Sequence, residues 1–149
     1  MLDLAIQATP QPTLILGIDQ VAHALARKFA WRIQPDGATA QNLLGLSTQV
    51  PARIVYLSDG PDRSYTVGKT LLAFQHTALK EAGFKLPESR LVVQALKAYG
   101  ENRITRKIIA QVRKKFDRAL RQRILVDTKT ATGWVYAAIK EIAKEASNG

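Results

Sequence analysis

The chain has 149 residues, 46% of them hydrophobic and 23% charged, and its formal net charge is +10. This length and balance are typical of one globular domain with a sizeable core, and the absence of cysteine excludes disulfides, thiolate metal sites and a cysteine nucleophile. No apolar run approaches the roughly 20 residues that cross a bilayer, and residues 1–7 lack the basic start of a signal peptide. We therefore expect a soluble, cytoplasmic protein.

The first half of the chain is predicted to contain a helix over residues 19–29, a short strand over residues 31–34 and a second helix over residues 38–44. Asp19 and Asp36 each precede a helical pattern and are suited to cap its first N–H groups. Pro35 ends the alternating pattern of the strand, and Gly45 closes the second helix. Residues 1–13 are weakly patterned and are expected to pack loosely or to pair at a sheet edge.

Three extended segments are predicted in the middle of the chain: residues 53–57, 64–67 and 70–76. They are separated by turn signals, since residues 59–61 read Asp-Gly-Pro and Gly68-Lys69 joins the last two segments. Two extended runs joined by two such residues are typical of a β-hairpin. These strands are therefore expected to form an antiparallel meander.

After residue 87 the pattern is helical, in three segments: residues 88–99, residues 103–125, and a last helix from 132 or 133. The middle segment is expected to be one long helix or a broken pair. In the last helix Trp134, Ala138 and Ile142 form an apolar stripe. The prediction for residues 1–149 is one α+β domain, a small antiparallel β-meander packed with about five helices and with a helical C-terminal half.

The excess of positive charge lies in one segment, because residues 101–129 contain ten basic and three acidic side chains. On a helix with about 100° per residue, five of the basic residues form one narrow stripe: Arg103, Lys107, Lys114, Arg118 and Arg121. A broadly opposite arc is apolar: Ile104, Ile108, Val112, Phe116 and Ala119. A line of cations is suited to a phosphate backbone or to an acidic protein surface, so this stripe is the candidate binding site for nucleic acid or an acidic partner. The alternative is a solvated face without a partner.

No group of residues in the sequence predicts catalysis. Residues 68–70 resemble the end of a phosphate-binding loop, but Arg63 stands where such a loop needs glycine and the following residues look extended. His23 and His76 are far apart and have no partner at metal-ligand spacing. We therefore predict a protein that is not an enzyme, with no catalytic residues, no metal ligands and no cofactor.

Three stretches carry a resemblance to a known family. Residues 37–51 read Gly-Ala-Thr-Ala-Gln-Asn-Leu-Leu-Gly-Leu-Ser-Thr-Gln-Val-Pro, residues 54–60 read Ile-Val-Tyr-Leu-Ser-Asp-Gly, and residues 91–97 read Leu-Val-Val-Gln-Ala-Leu-Lys. With the helix of Trp134, they resemble the C-terminal domain of AbiEi-type antitoxins over about residues 16–144. Most of these residues are typical of cores and turns, so they indicate a fold more directly than a site.

The resemblance implies an antitoxin of a type IV toxin–antitoxin system, active in abortive infection and phage defence. Such an antitoxin counteracts an AbiEii-like nucleotidyltransferase toxin encoded beside it. Members of that family usually carry an N-terminal winged helix that binds operator DNA, and with only about fifteen residues before the similar region we expect that module to be missing here. The alternative function is a nucleic-acid-binding module that acts through a basic helix over residues 103–123.

Overall fold

The computed structural model describes residues 11–47, 51–78 and 84–144, with side chains from residue 15 onward. Within these ranges, helices and strands alternate first and helices alone follow. In order they are α1 (Gln11–Phe29), β1 (Ile33–Pro35), α2 (Gly37–Leu43), β2 (Arg53–Ser58), β3 (Arg63–Val67), β4 (Thr70–His76), α3 (Pro87–Tyr99), a 3-10 turn (Glu101–Arg103), α4 (Arg106–Lys115), α5 (Arg118–Asp127) and α6 (Gly133–Ala143). The predicted α+β class and the helical C-terminal half are confirmed. Most of the predicted loose segment at residues 1–13, and residues 48–50 of the family resemblance, lie outside the described residues.

Helix α1 is longer than the sequence pattern predicts, because it begins at Gln11 and not at Asp19. Pro12 lies in the first turn, where the missing N–H of a proline costs no helical hydrogen bond. Asp19 consequently lies in the middle of the helix, and its prediction as an N-cap was wrong. Its carboxylate accepts a hydrogen bond from the hydroxyl of Tyr56 in β2.

The sheet is mixed, with the strand order β1-β2-β4-β3. β1 and β2 are antiparallel, β3 and β4 form the predicted antiparallel hairpin, but β2 and β4 are parallel. The predicted antiparallel meander was therefore wrong for the pairing of β2 with β4, which is parallel. The chain leaves β2, crosses the end of β4 and forms the outer strand β3 before it returns as β4. Asp62 Oδ1 accepts the backbone N–H of His76 at 2.7 Å, which joins the crossing segment to the end of β4.

Two local predictions are confirmed, the cap at the start of α2 and the two-residue turn of the hairpin. Asp36 is the N-cap of α2, where its Oδ1 accepts the N–H of Thr39 at 2.9 Å. The hydroxyl of Thr39 in turn accepts the N–H of Val55 at 3.3 Å, so the first turn of α2 is joined to β2. Gly68 has a φ of 61°, a conformation that favours glycine in the two-residue turn between β3 and β4.

The basic C-terminal segment is a broken pair of helices. Thr105 caps α4 and Asp117 caps α5, with Phe116 between the two helices in an extended conformation. Asp117 Oδ1 accepts the N–H of Leu120 at 2.8 Å, and this cap begins a new helix after Phe116. The single long helix considered over residues 103–125 is therefore excluded.

Two clusters of buried side chains form the core. One joins α1 to the sheet and includes Ile18, Tyr56 and Phe74. The other joins α2, α3, α4, α5 and α6. In α6, Ile142 is buried, whereas Trp134 and Ala138 of the predicted stripe are only partly buried. None of the helices in the described ranges is long and apolar enough to cross a membrane.

Candidate functional site

The predicted stripe of cations does not lie on one helix. Arg103 belongs to the 3-10 turn and Lys107 and Lys114 to α4, whereas Arg118 and Arg121 belong to α5. The first four side chains are exposed, and that of Arg121 is partly buried. The five cations are thus distributed over three consecutive elements, and the predicted alignment over a single helix was wrong.

Arg121 has a structural role that the sequence did not predict. Its Nη1 donates to the carbonyl oxygens of Arg113, at 3.0 Å, and Phe116, at 3.4 Å. These carbonyls lie at the C-terminal end of α4, which attracts a positive charge. Arg113 acts in the same way at the end of α6, donating to the carbonyls of Glu141 at 2.6 Å and Ile142 at 3.3 Å. Both arginines therefore join helix ends and are not part of an open binding surface.

The other basic residues of the segment form what we term the cationic surface. All of them are exposed: Arg103, Arg106, Lys107, Lys114, Lys115, Arg118, Arg123 and Lys129. Two acids of the same segment are engaged by backbone, since Asp117 caps α5 and Asp127 accepts the N–H groups of Lys85 and Leu86. The surface consequently keeps a strong positive potential toward a partner.

A groove of about 600 Å³ adjoins the cationic surface, between α5 and the segment that enters α3. Its apolar contacts come from Leu86 and Val126, and the latter is 64% exposed. Lys85, Arg123 and Lys129 line it with positive charge. The sequence did not predict this groove, because Lys85 is brought to α5 only by tertiary folding.

Asp127 holds one wall of the groove in place. Its Oδ1 accepts the N–H of Lys85 at 3.0 Å, and its Oδ2 accepts the N–H of Leu86 at 2.9 Å. Burial raises the pKa of this carboxyl, but the two hydrogen bonds and the nearby ammonium of Lys85 outweigh burial, so the pKa lies below its ordinary value. The carboxylate form thus stabilises the junction of α5 with α3.

A second concave region, which we call the cleft, lies between α1, β1 and the N-terminal part of α3, with a volume of about 520 Å³. His23 and Arg27 of α1, Gln34 of β1 and Arg90 of α3 line it. His23 Nε2 lies 3.3 Å from Oδ1 of Asp19. The sequence analysis predicted no metal-ligand partner for His23 and did not predict its contact with Asp19. The two residues are four positions apart on a helix, a spacing that places side chains next to each other.

Tyr56 completes a polar network behind the cleft. Its ring is fully buried, and its hydroxyl donates to Asp19. Burial, followed by the negative charge of Asp19, raises the pKa of this phenol far above its ordinary value, so it remains a neutral donor. In the described part of the chain, no group of three or more His, Asp or Glu side chains is placed to hold a metal ion.

The residues that carry the family resemblance have structural roles. A Cβ on Gly37 would lie 2.5 Å from the Cβ of Ala98, and one on Gly60 would overlap the indole of Trp31. Gln41 of α2 donates to the carbonyl of Ala95 at 3.4 Å. These residues allow α2 to approach α3, and the turn after β2 to approach Trp31, so they indicate architecture.

The model of DUF6088, a family of unknown function, matches residues 8–125. The chain belongs to DUF6088. Neither the curated proteins nor the solved structures give a significant match.

The DUF6088 region includes some features of this chain and excludes others. Every residue that lines the cleft lies within the matched residues 8–125, from His23 to Arg90. In the groove, Val126, Asp127, Lys129 and Thr130 follow the last matched residue. The cleft is therefore a feature of the DUF6088 region, and the groove lies at its boundary.

Proposed function

We propose that this DUF6088 chain is an antitoxin-like interaction protein that counteracts a nucleotidyltransferase toxin of an abortive-infection system. The resemblance of residues 37–51, 54–60 and 91–97 to AbiEi-type antitoxins supports this function. The observation that carries it is the groove beside the cationic surface, where exposed Val126 is surrounded by Lys85, Arg123 and Lys129.

The chemistry of the groove favours a protein partner. Protein interfaces combine a buried apolar centre with a polar rim, and complementary charges orient the two surfaces. An acidic protein face with a protruding apolar side chain would cover Val126 and Leu86 and would meet the lysines and arginine around them. A phosphate backbone offers no apolar group for Val126, which is 64% exposed. The occupant that we propose is therefore an acidic face of the toxin.

Co-expression tests this function. A nucleotidyltransferase gene beside the gene of this chain is expected, and the chain should restore growth of a host that expresses that toxin. Val126→Asp and Arg123→Glu should each abolish rescue and capture of the purified toxin, because a carboxylate would face an acidic partner. Leu16→Asp on α1 and Lys69→Glu in the hairpin turn are matched controls, since both residues are exposed and lie outside the groove. Equal rescue by all four variants would exclude the groove, and no rescue by the folded parent chain would exclude the function.

A second function, nucleic-acid binding, is favoured by the number of exposed cations on the 3-10 turn, α4 and α5. For binding through phosphate contacts, the logarithm of the association constant falls linearly with the logarithm of the salt concentration. Fluorescence anisotropy with a labelled duplex at several salt concentrations measures this slope. A steep slope that Lys107→Glu with Lys114→Glu removes would favour this second function, and Val126→Asp should then have a much smaller effect on binding.

A further inference from the structure

We propose that the cleft between α1, β1 and α3 binds a nucleoside monophosphate, with its phosphate at the arginine end and its base toward Gln34. The site is separate from the groove and from the cationic surface, because these regions share no lining residue with the cleft. The inference therefore does not depend on the proposed antagonism of a toxin.

One end of the cleft is suited to an anion. Arg27 and Arg32 line only this outer part, whereas His23 and Arg90 line both the outer part and the inner cavity described below, and none of the residues that line the outer part is acidic. Among the described residues no carboxylate forms an ion pair with Arg27 or Arg32. Arg90 is held by a 2.6 Å hydrogen bond from its Nη1 to the carbonyl of Phe84, and its guanidinium retains further N–H donors. Guanidinium groups are the side chains that most often recognise phosphate, because their N–H donors match its oxygen atoms.

The cleft changes polarity at its inner end. It continues into a cavity of about 200 Å³ that shares lining residues with it, among them His23, Gln34 and Arg90. The additional lining residues include the carboxylates Asp19 and Glu88, which accept hydrogen bonds. A nucleotide has the complementary polarity, with an anionic phosphate at one end and the hydroxyl and N–H donors of its sugar and base at the other.

Gln34 is the strongest single indication of a ligand. It is only 6% exposed, it lines both parts of the cleft, and its side-chain amide forms no hydrogen bond with any described residue. The amide is not one of the side-chain groups that are sealed from solvent, so its donor and its acceptor are available to a ligand that enters the cleft. The amide of Gln pairs with adenine in this way through N6 and N7, so AMP is the appropriate probe.

Isothermal titration calorimetry of the full chain with AMP tests the site. We expect saturable binding of AMP, with adenosine and inorganic phosphate each binding at least about tenfold more weakly because each contacts one end only. Absence of binding at millimolar AMP would overturn the inference. Equal affinity for inorganic phosphate and AMP would also overturn it, since the cleft would then recognise an anion without its nucleoside.

Two variants and one control locate the site. Arg27→Gln should weaken AMP binding by about tenfold, the loss expected for one charge-assisted hydrogen bond. Gln34→Leu should weaken AMP binding without lowering the melting temperature, because the amide loses no partner in the free protein. Arg53→Gln, on β2 and outside the cleft, should leave the affinity unchanged. Equal weakening by Arg27→Gln and Arg53→Gln would indicate general charge attraction and would refute the site, as would a Gln34→Leu variant that melts earlier but binds AMP normally.

Discussion

The hydroxyl of Tyr56, in the second strand of the sheet, donates a hydrogen bond to the carboxylate of Asp19, in the middle of α1. The two residues are 37 positions apart in the chain. Asp19 also lies beside His23, so one carboxylate joins the buried sheet to the helical wall of the cleft. This polar contact adds to the apolar packing that joins α1 to the sheet through Ile18, Tyr56 and Phe74.

Removing the phenol hydroxyl should destabilise the protein. Tyr56→Phe is expected to lower the free energy of unfolding by about 1–3 kcal/mol, the range for a hydrogen bond to a charged group. Urea unfolding followed by circular dichroism measures the loss. Tyr65→Phe, on the neighbouring strand β3, is the control, because no described residue forms a side-chain hydrogen bond with Tyr65. Equal losses for the two variants would contradict the role assigned to the contact.

Alkaline pH should act on the same contact. The pKa of Tyr56 is raised in the folded chain by burial and by Asp19, whereas in the unfolded chain it is about 10. Above that pH the unfolded state loses a proton that the folded state retains, so this part of the stability is present below pH 10 and declines as pH rises further. Unfolding measured from pH 8 to 11 should show a shallower decline in Tyr56→Phe than in the parent chain. Parallel curves would contradict this linkage.

Two glycines should be intolerant of a methyl group. Gly37→Ala and Gly60→Ala are each expected to cost about 1–3 kcal/mol, because the new Cβ would overlap Ala98 or the indole of Trp31. Gly133→Ala is the matched control, since a Cβ there would meet no atom within 4 Å and the residue begins α6. We expect Gly133→Ala to be neutral or slightly stabilising. Thermal melts of the three variants provide the measurement, and equal melting temperatures would contradict the close approach.

Acidic pH should weaken the junction of α5 with α3. Asp127→Asn is expected to lower stability by about 1–2 kcal/mol at pH 7, because a neutral amide is a weaker acceptor for the N–H groups of Lys85 and Leu86. The folded pKa lies below the unfolded value of about 3.9, so this contribution is present above that pH and is lost as pH falls through the folded pKa. The difference between parent and variant should therefore shrink below pH 4 in urea titrations. A difference that is constant with pH would contradict the charge-dependent contact.

The basic residues of the segment should differ in how much they contribute to stability. Arg121→Gln is expected to lower the melting temperature, because the last carbonyls of α4 lose their charged donor. Lys107→Glu with Lys114→Glu should leave it nearly unchanged, since both side chains are exposed. Differential scanning fluorimetry compares the variants. A large loss in the double variant would contradict the exposed position of these lysines.

Local signals in the sequence predicted much of the secondary structure. Asp36 before α2 and Gly68 in the hairpin act within a few residues of themselves, so their roles depend only on nearby backbone. The cap at Asp117 is equally local, and it decided between the two alternatives for the basic segment. Four of the five predicted cations are exposed, whereas Arg121 contacts a helix end that exists only because the helix breaks before it.

Helical periods, strand alternation and turn residues are properties of adjacent positions, so the α+β class and the concentration of positive charge in one C-terminal segment could be predicted before the structure was known. Tertiary structure decided the parallel pairing of β2 with β4, the contact of Asp19 with Tyr56, the groove at Val126 and the cleft at Gln34. Each of these joins segments that are distant in the chain. Their formation depends on which buried surfaces pack together, and no local pattern encodes that choice.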